Sequence, residues 1–482
     1  MIKLDFDTKK CKAIISGDRF LEIREHFSVE NPAAKFNRSF YIPKRLYAIA
    51  SNGYFDIGLF DEIKAFLFEK QYKVEYEYTQ PFLDELTPKL DKPLIKRLSL
   101  KLRDYQEETV KRCMSEGRGI ALLGTGAGKT LTIATLIENF YLYAKDVKKF
   151  KCLIIVPDLG LVNQTYKDFE TYNVSFTQSR WTGSIKPDFE ANVIIANIDI
   201  LRSKFDQNDW IKDIDILIVD EAHKMGKGNK SSKILDKIKT PNKFGFTGTL
   251  PTDNIDKWNV TGKIGGVLII KSSYELREEK FLTTVHVKML NLLYRDVPKP
   301  IINTGNTTDD YHNELIFISN NEFRNKVIQT TCNNFKNNIL ILINNINHGQ
   351  HLFDLFSKNL PDKQVYFIRG EVDVEDRDKV KAIMETSNNV VCIAISAIFS
   401  TGVNIKNIHM IIFAAGGKSF IRTVQSIGRG LRLNENKDEL IIIDICDLLD
   451  YGSNHAEKRK EIYNKEKITF SQHLIKEKQL IN

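Results

Sequence analysis

Lys129 and Thr130 close the stretch Leu122 to Thr130, LLGTGAGKT, in which two glycines stand just ahead of a lysine and a hydroxyl. That spacing suits a phosphate cradle. Glycines let backbone N–H groups approach a polyanion, an ammonium group reaches the terminal phosphates, and a hydroxyl ligates Mg²⁺. The general G-x-x-x-x-G-K-[ST] pattern nevertheless fails, because Leu123 holds the position of its first glycine. The stretch is either a glycine-rich strand-to-helix turn with an exposed lysine or a phosphate loop that begins differently. A second stretch, DILIVDEAHKM, runs through the apolar residues Ile216 to Val219 into Asp220 and Glu221. Carboxylates at the carboxyl end of a buried strand lie where α/β sheets hold ligands; Asp220 suits a metal and Glu221 the orientation or deprotonation of water. The bland alternative is an acidic turn. The third stretch, QSIGRGLR, sets Arg429 and Arg432 three apart on one helical face. Two guanidinium groups there can stabilise charge on a transferring phosphoryl group, although the stretch alone is also an ordinary basic helix.

These side chains need rigid strands and helix starts to hold them. From about residue 100, short apolar runs (GIALL, CLIIVP, NVIIAN, DILIVD, KFGFTGT) alternate with helix-length amphipathic segments, as a parallel sheet covered on both faces requires. A second series, NILILINN, QVYFIRG, NVVCIAIS, IHMIIFAA and ELIIIDI, follows a loop-rich stretch around NTGNTTDD. The fold class expected is therefore α/β, with two parallel-sheet lobes. Residues 1–95 differ in texture. Short aromatic and β-branched runs broken by Pro43 and Asn52-Gly53 predict a small antiparallel sheet, and Leu59, Ile63, Phe66 and Leu67 fall on one helical face. This is a small α+β unit, and PFLDELTPKLDKPL reads as its linker. The expected boundaries are 1–95 for this accessory domain, 96–260 for the first lobe, 261–335 for a connector and the start of the second lobe, 336–450 for the second lobe and 451–482 for a solvated helical tail of mixed charge.

A chain of 482 residues is too long for one core. Its 42% hydrophobic and 27% charged content is that of a soluble globular protein, and no apolar run of membrane-spanning length or signal-like start is present. An intracellular, cytoplasmic location without membrane contact is expected. The net charge of +8 is compatible with a polyanionic partner and is weak support alone. The six cysteines are scattered in mostly apolar contexts, which predicts buried thiols and neither disulfides nor structural zinc.

In combination the stretches resemble the superfamily-two helicases and translocases of the DExH type. LRDYQ (Arg103 to Gln106 within it) is similar to the glutamine motif, LLGTGAGKT to motif I, IIVPDLGLVNQ to motif Ia, WTGS to motif Ib and DEAH to motif II. FTGTL, AISAIFSTGVNIKNI and QSIGRGLR resemble motifs III, V and VI, in the family's order. The resemblance covers about residues 100–450 and implies two RecA-like lobes using ATP and Mg²⁺. It implies that Gln106 bonds the adenine, that Gly126, Gly128, Lys129 and Thr130 hold phosphates, and that Thr130 and Asp220 hold the metal beside Glu221. Gly402, Gln425, Arg429 and Arg432 complete the ATP site in this scheme, and His223, Thr247 and Thr249 couple it to a nucleic-acid track. Pro157, Thr182, Gly183, Asn197, Ser400 and Thr401 match positions that touch the tracked backbone. Two departures stand out: Gly124 replaces the usual proline of motif I, and Asn404 stands where many relatives carry aspartate.

Within the superfamily, the front segment AAKFNRSFYIPKRLYAIASNGYFDIG, NINHGQHLFDLF with IRGEVDVEDR, and FSTGVNIKNIHMII resemble the UvsW-type phage helicases. That implies an ATP-dependent DNA helicase or translocase, working as a monomer, that unwinds or branch-migrates forked and junction DNA in recombination, repair or fork restart. Lys35, Arg38, Lys44 and Arg45 are then candidate phosphate contacts of the front domain. Two alternatives stay open on the residues: an RNA helicase with the same motor, and a translocase subunit of a restriction or defence complex.

Overall fold

In the computed structural model the described residues are 1–482 apart from 9, 37–41, 78, 87–89, 205–208, 226–228, 296–306, 370–373, 397–406, 416–438 and 478–482. At the front, β1 (Ile2–Asp7) and β2 (Lys12–Gly17) alternate buried with exposed residues and pair antiparallel, Leu4 opposite Ile15. β3 (Ser28–Glu30) and β4 (Arg45–Tyr47) make a separate antiparallel ribbon. β5 (Tyr54–Phe55) and β6 (Val74–Tyr76) complete a sheet of order β5-β2-β1-β6. Asn52-Gly53 makes the turn into β5, with Gly53 at φ +85°. The sheet is mixed and not purely antiparallel, because β6 returns parallel to β1 after the helix Phe60–Glu69. That helix turns Phe60, Ile63, Phe66 and Leu67 inward, the face expected from their spacing.

The second sheet joins β7 (Arg118–Leu123), β8 (Cys152–Val156), β9 (Gln178–Trp181), β10 (Val193–Asn197), β11 (Ile216–Asp220), β12 (Asn242–Thr247) and β13 (Val267–Lys271), all parallel, in the order β13-β7-β12-β11-β8-β10-β9. Its central strands β8, β10 and β11 are buried at every residue, which is why they read as unbroken apolar runs. The third sheet contains β14 (Thr284–Leu293), β15 (Ile339–Ile343), β16 (Gln364–Ile368), β17 (Val390–Ile395), β18 (Met410–Phe413), β19 (Glu439–Asp447) and β20 (Thr469–Lys476). It is also parallel, in the order β16-β17-β15-β18-β19-β14-β20. By contacts the chain divides into two compact units, Met1–Gly124 with Gly128–Ser272, and Ser273–Asn482 with Thr125–Ala127.

Two segments differ from their sequence reading. The stretch 261–335, read as a connector and the start of the second lobe, gives β14 to the third sheet as that reading implies, but also supplies β13 to the edge of the second sheet. The stretch 451–482, read as a solvated helical tail, is a helix, Asp450–Lys465, followed by β20 on β14. Its charge pattern misleads because Arg459 points inward: its Nε donates to Asp444 Oδ2 at 2.9 Å, and the Tyr463 hydroxyl donates to the same oxygen at 2.8 Å. A paired, hydrogen-bonded guanidinium can be buried where a lone one cannot.

The proline-punctuated linker is fastened to the helix Lys129–Ala144. Asn139 accepts from Ile95 N–H at 2.8 Å and donates to Ile95 C=O at 3.1 Å, Tyr143 donates to the Pro93 carbonyl at 2.7 Å, and Arg97 pairs with the fully buried Glu138. Five of the six cysteines are buried free thiols, and Cys11 is partly buried. Among the described residues no helix is long and apolar enough to cross a membrane.

Candidate active site

Three neighbouring strands, β7, β12 and β11, present their carboxyl ends side by side; Leu122 stands opposite Thr247, and Phe246 opposite Asp220. Leu123 closes β7 fully buried, and the helix Lys129–Ala144 begins after Gly128. Gly126 at φ +83° and Gly128 at φ +73° occupy the left-handed region, so the turn between strand and helix depends on glycine at both positions. At the helix start the Leu131 and Thr132 N–H groups donate to the Gly128 carbonyl at 3.1 and 3.2 Å, and the N–H groups ahead of them precede the first helical acceptor, an arrangement that suits a phosphate. Lys129 Nζ lies 3.4 Å from the Leu123 carbonyl and 3.9 Å from Glu221 Oε1. Thr130 is half-buried on the same first turn.

At the end of β11 the buried Asp220 accepts from the Glu221 N–H at 2.9 Å. Glu221 itself has φ +51°, an uncommon conformation for a residue with a Cβ, and so leaves the strand at a sharp angle. Its Oε2 is 3.3 Å from His223 Nδ1, which is 2.7 Å from Thr247 Oγ1. The Thr247 hydroxyl donates its single proton to the Thr249 carbonyl at 3.0 Å. It therefore accepts from His223, which places the imidazole proton on Nδ1. The chain Glu221, His223, Thr247, Thr249 is continuous and joins the expected catalytic carboxylate to the three residues expected to couple it.

Gln106, expected to contact the adenine, is also engaged with the loop itself. It is 3% exposed, its Oε1 accepts from Arg103 N–H at 2.9 Å, and its Nε2 donates to the Gly128 carbonyl at 3.3 Å. A Cβ at position 128 would lie 2.5 Å from that Nε2, so the loop and the amide are packed tightly together. This contact lets Gln106 brace the loop, which motif spacing does not disclose. For Gln106→Ala, KM for ATP should rise about ten-fold, the value of one lost buried hydrogen bond, and KM for GTP should rise with it. Steady-state titrations with both nucleotides check this; a rise confined to ATP would show base reading instead.

The other half of the sheet carries the candidate track residues. Pro157 follows β8, Asn197 ends β10, and the turn after β9 contains Thr182 and Gly183. Asn197 Nδ2 donates to the Pro157 carbonyl at 3.2 Å, and its Oδ1 accepts from Asp199 N–H at 2.8 Å. Thr182 Oγ1 accepts from Ile185 N–H at 3.0 Å. Thr182 and Asn197 are thus buried shapers of the turns, whereas Gly183 faces open space. Ser400, Thr401, Gly402, Gln425, Arg429 and Arg432 lie outside the described residues. In the front domain so does Arg38; Lys44 is exposed, and Arg45 is held by Glu25 at 2.8 Å and Ser28 Oγ at 2.9 Å.

The family model for the type III restriction enzyme res subunit matches residues 99–252, and the helicase conserved C-terminal domain matches 322–434. The ATP-dependent DNA helicase uvsW of Enterobacteria phage T4 is 28% identical over 460 residues, 92% of this chain and 89% of that protein. The chain is a superfamily-two helicase. Membership brings ATP hydrolysis with it. The DNA 3'-5' translocase XPB2 of Sulfurisphaera tokodaii is 22% identical over 81% of this chain and 90% of its own length. The DNA-bound type ISP restriction-modification enzyme LlaBIII, at 15% identity and TM-score 0.58, covers 85% of this chain and 34% of that one and shows the shared fold.

Proposed function

We propose that this helicase is an ATP-driven DNA motor that unwinds or branch-migrates forked and junction DNA. The observation that supports the reading most is the extent of the likeness to uvsW: it spans 92% of this chain, whereas the two family models begin only at residue 99. The front domain, residues 1–95, is then an accessory DNA-binding module ahead of two motor lobes, one built on the sheet of β7 to β13 and the other on the sheet of β14 to β20.

In the proposed cycle the loop N–H groups and Lys129 bind the ATP phosphates, while Glu221 orients water and takes its proton. Thr130 and Asp220 offer the hard oxygen donors that suit Mg²⁺, which would supply charge neutralisation at the phosphates. His223 and Thr247 transmit the state of Glu221 to the motif III turn. From the second lobe Gly402 and Gln425 serve the nucleotide, and Arg429 and Arg432 supply positive charge to the γ-phosphate. Pro157, Thr182, Gly183, Asn197, Ser400 and Thr401 shape or line a track that reads backbone and not sequence.

ATPase rates measured with single strands, blunt duplex, forks, four-way junctions and RNA test the reading. Forks and junctions should stimulate most, and those reactions should yield displaced or migrated strands. Stimulation by RNA alone would establish an RNA helicase. No stimulation by any nucleic acid would favour a translocase that works only inside a larger complex.

A further inference from the structure

The helix Asn254–Ile264 belongs to two hydrophobic cores at once. Val260 and Ile264, four apart and so on one face, sit in the core of the first lobe with Ile120, Leu217 and Ala222. Trp258 and Ile255, on the opposite side, pack in the core of the front domain with Phe27, Ile63 and Phe66. Trp258 is 7% exposed, its ring centroid is 5.6 Å from that of Phe27, and its indole N–H donates to Glu62 at 3.0 Å.

Backbone contact makes the junction rigid. A Cβ at Gly58 would lie 2.2 Å from the Thr261 carbonyl oxygen and 2.5 Å from that of Gly262, and a Cβ at Gly262 would lie 3.0 Å from Asp56 Cβ. Lys263 then joins Asp56 at 3.1 Å and also pairs with Asp236, while Lys12 reaches Asp56 at 3.0 Å. The helix begins five residues after Thr249, the far end of the chain that starts at Glu221. The front domain is therefore packed onto the first element downstream of motif III.

We propose that Trp258 is a positioning residue for ATP turnover: by anchoring the helix Asn254–Ile264 in the front domain, it lets DNA held by that domain set the Thr247–Thr249 turn and so the His223 contact to Glu221. This rests on the DNA-motor reading above. Trp258 touches no substrate and acts only through the helix.

The test uses the full chain. In Trp258→Ala the ATPase rate without DNA and KM for ATP should stay within about two-fold of wild type, while the rate with forked DNA falls at least about five-fold. Trp258→Phe, which keeps an aromatic ring and loses only the bond to Glu62, should recover most of the stimulation. Hydrogen exchange without DNA should quicken at the amides of residues 246–250 in Trp258→Ala and stay near wild type in Trp258→Phe. Unchanged exchange there, or basal and stimulated rates falling in equal proportion, overturns the proposal. A wild type that no nucleic acid stimulates counts against the motor reading alone, because the exchange measurement then decides the inference by itself.

Discussion

Glu221→Gln should lower ATP turnover by about a thousand-fold while ATP affinity changes little, the effect expected when a positioned general base is lost. Backbone and carboxylate are both placed: the Asp220 side chain accepts from the Glu221 N–H at 2.9 Å, His223 approaches one carboxylate oxygen at 3.3 Å, and Lys129 approaches the other at 3.9 Å. Glutamine preserves shape and backbone but cannot take a proton from water. The phosphate-binding groups, Lys129 and the N–H groups at the start of its helix, are untouched by the change. Lys129→Ala should behave differently, weakening ATP binding and lowering the rate together. Single-turnover hydrolysis with a parallel nucleotide-binding titration separates the two. A Glu221→Gln protein hydrolysing ATP at more than a tenth of the wild-type rate would remove Glu221 from the chemistry and leave the water to another group.

Arg324→Ala should destabilise the second unit by about 3 to 5 kcal/mol, the usual consequence of stranding one half of a buried ion pair. Arg324 is fully buried; Nε donates to Asp447 Oδ1 at 2.8 Å, and Nη2 donates to Asp447 Oδ2 at 3.3 Å and to the Ala414 carbonyl at 3.0 Å. The Tyr294 hydroxyl donates to the same carboxylate. Burial works against the guanidinium, but Asp447 beside it outweighs burial and holds its pKa above the ordinary value. Without Arg324 the Asp447 carboxylate stays buried with a single hydroxyl donor. Asp447 ends β19 and Ala414 follows β18, so the pair also ties together the carboxyl ends of two neighbouring strands. Denaturant unfolding followed by hydrogen exchange in β18 and β19 measures the loss. Arg324→Met with Asp447→Leu should recover most of it, since an apolar pair of similar volume removes the stranded charge. No recovery would mean that the pair acts through the Ala414 carbonyl bond instead.

Apart from the half-buried edge strand β16, visible through its aromatic and β-branched run QVYFI, the most legible strands of the two lobes are largely buried. CLIIV, VIIAN and ILIVD appear as continuous apolar runs because every residue of β8, β10 and β11 is covered. β14 and β20 were read otherwise because their residues alternate or face solvent; TFSQHLIK, on the edge of the third sheet, has no apolar periodicity strong enough to stand out. β9 and β13 are the edges of the second sheet and were missed for the same reason. Arg459 misled because a charged residue looks solvated until its partner, Asp444 on another element, is known.

By itself, then, the sequence determined the chemistry: glycines, a lysine and a hydroxyl at a strand-to-helix turn, two carboxylates at a strand end, and their order along the chain. These depend on local spacing, which a linear pattern records. Only the tertiary structure decided that Gln106 touches the loop at Gly128, that Glu221 stands in a left-handed backbone conformation, and that Trp258 lies in the front domain's core. Each depends on which distant residues meet, Gly128 for Gln106 and Phe27 with Glu62 for Trp258. Close packing across elements selects those partners, and nothing in residue spacing along the chain encodes it directly.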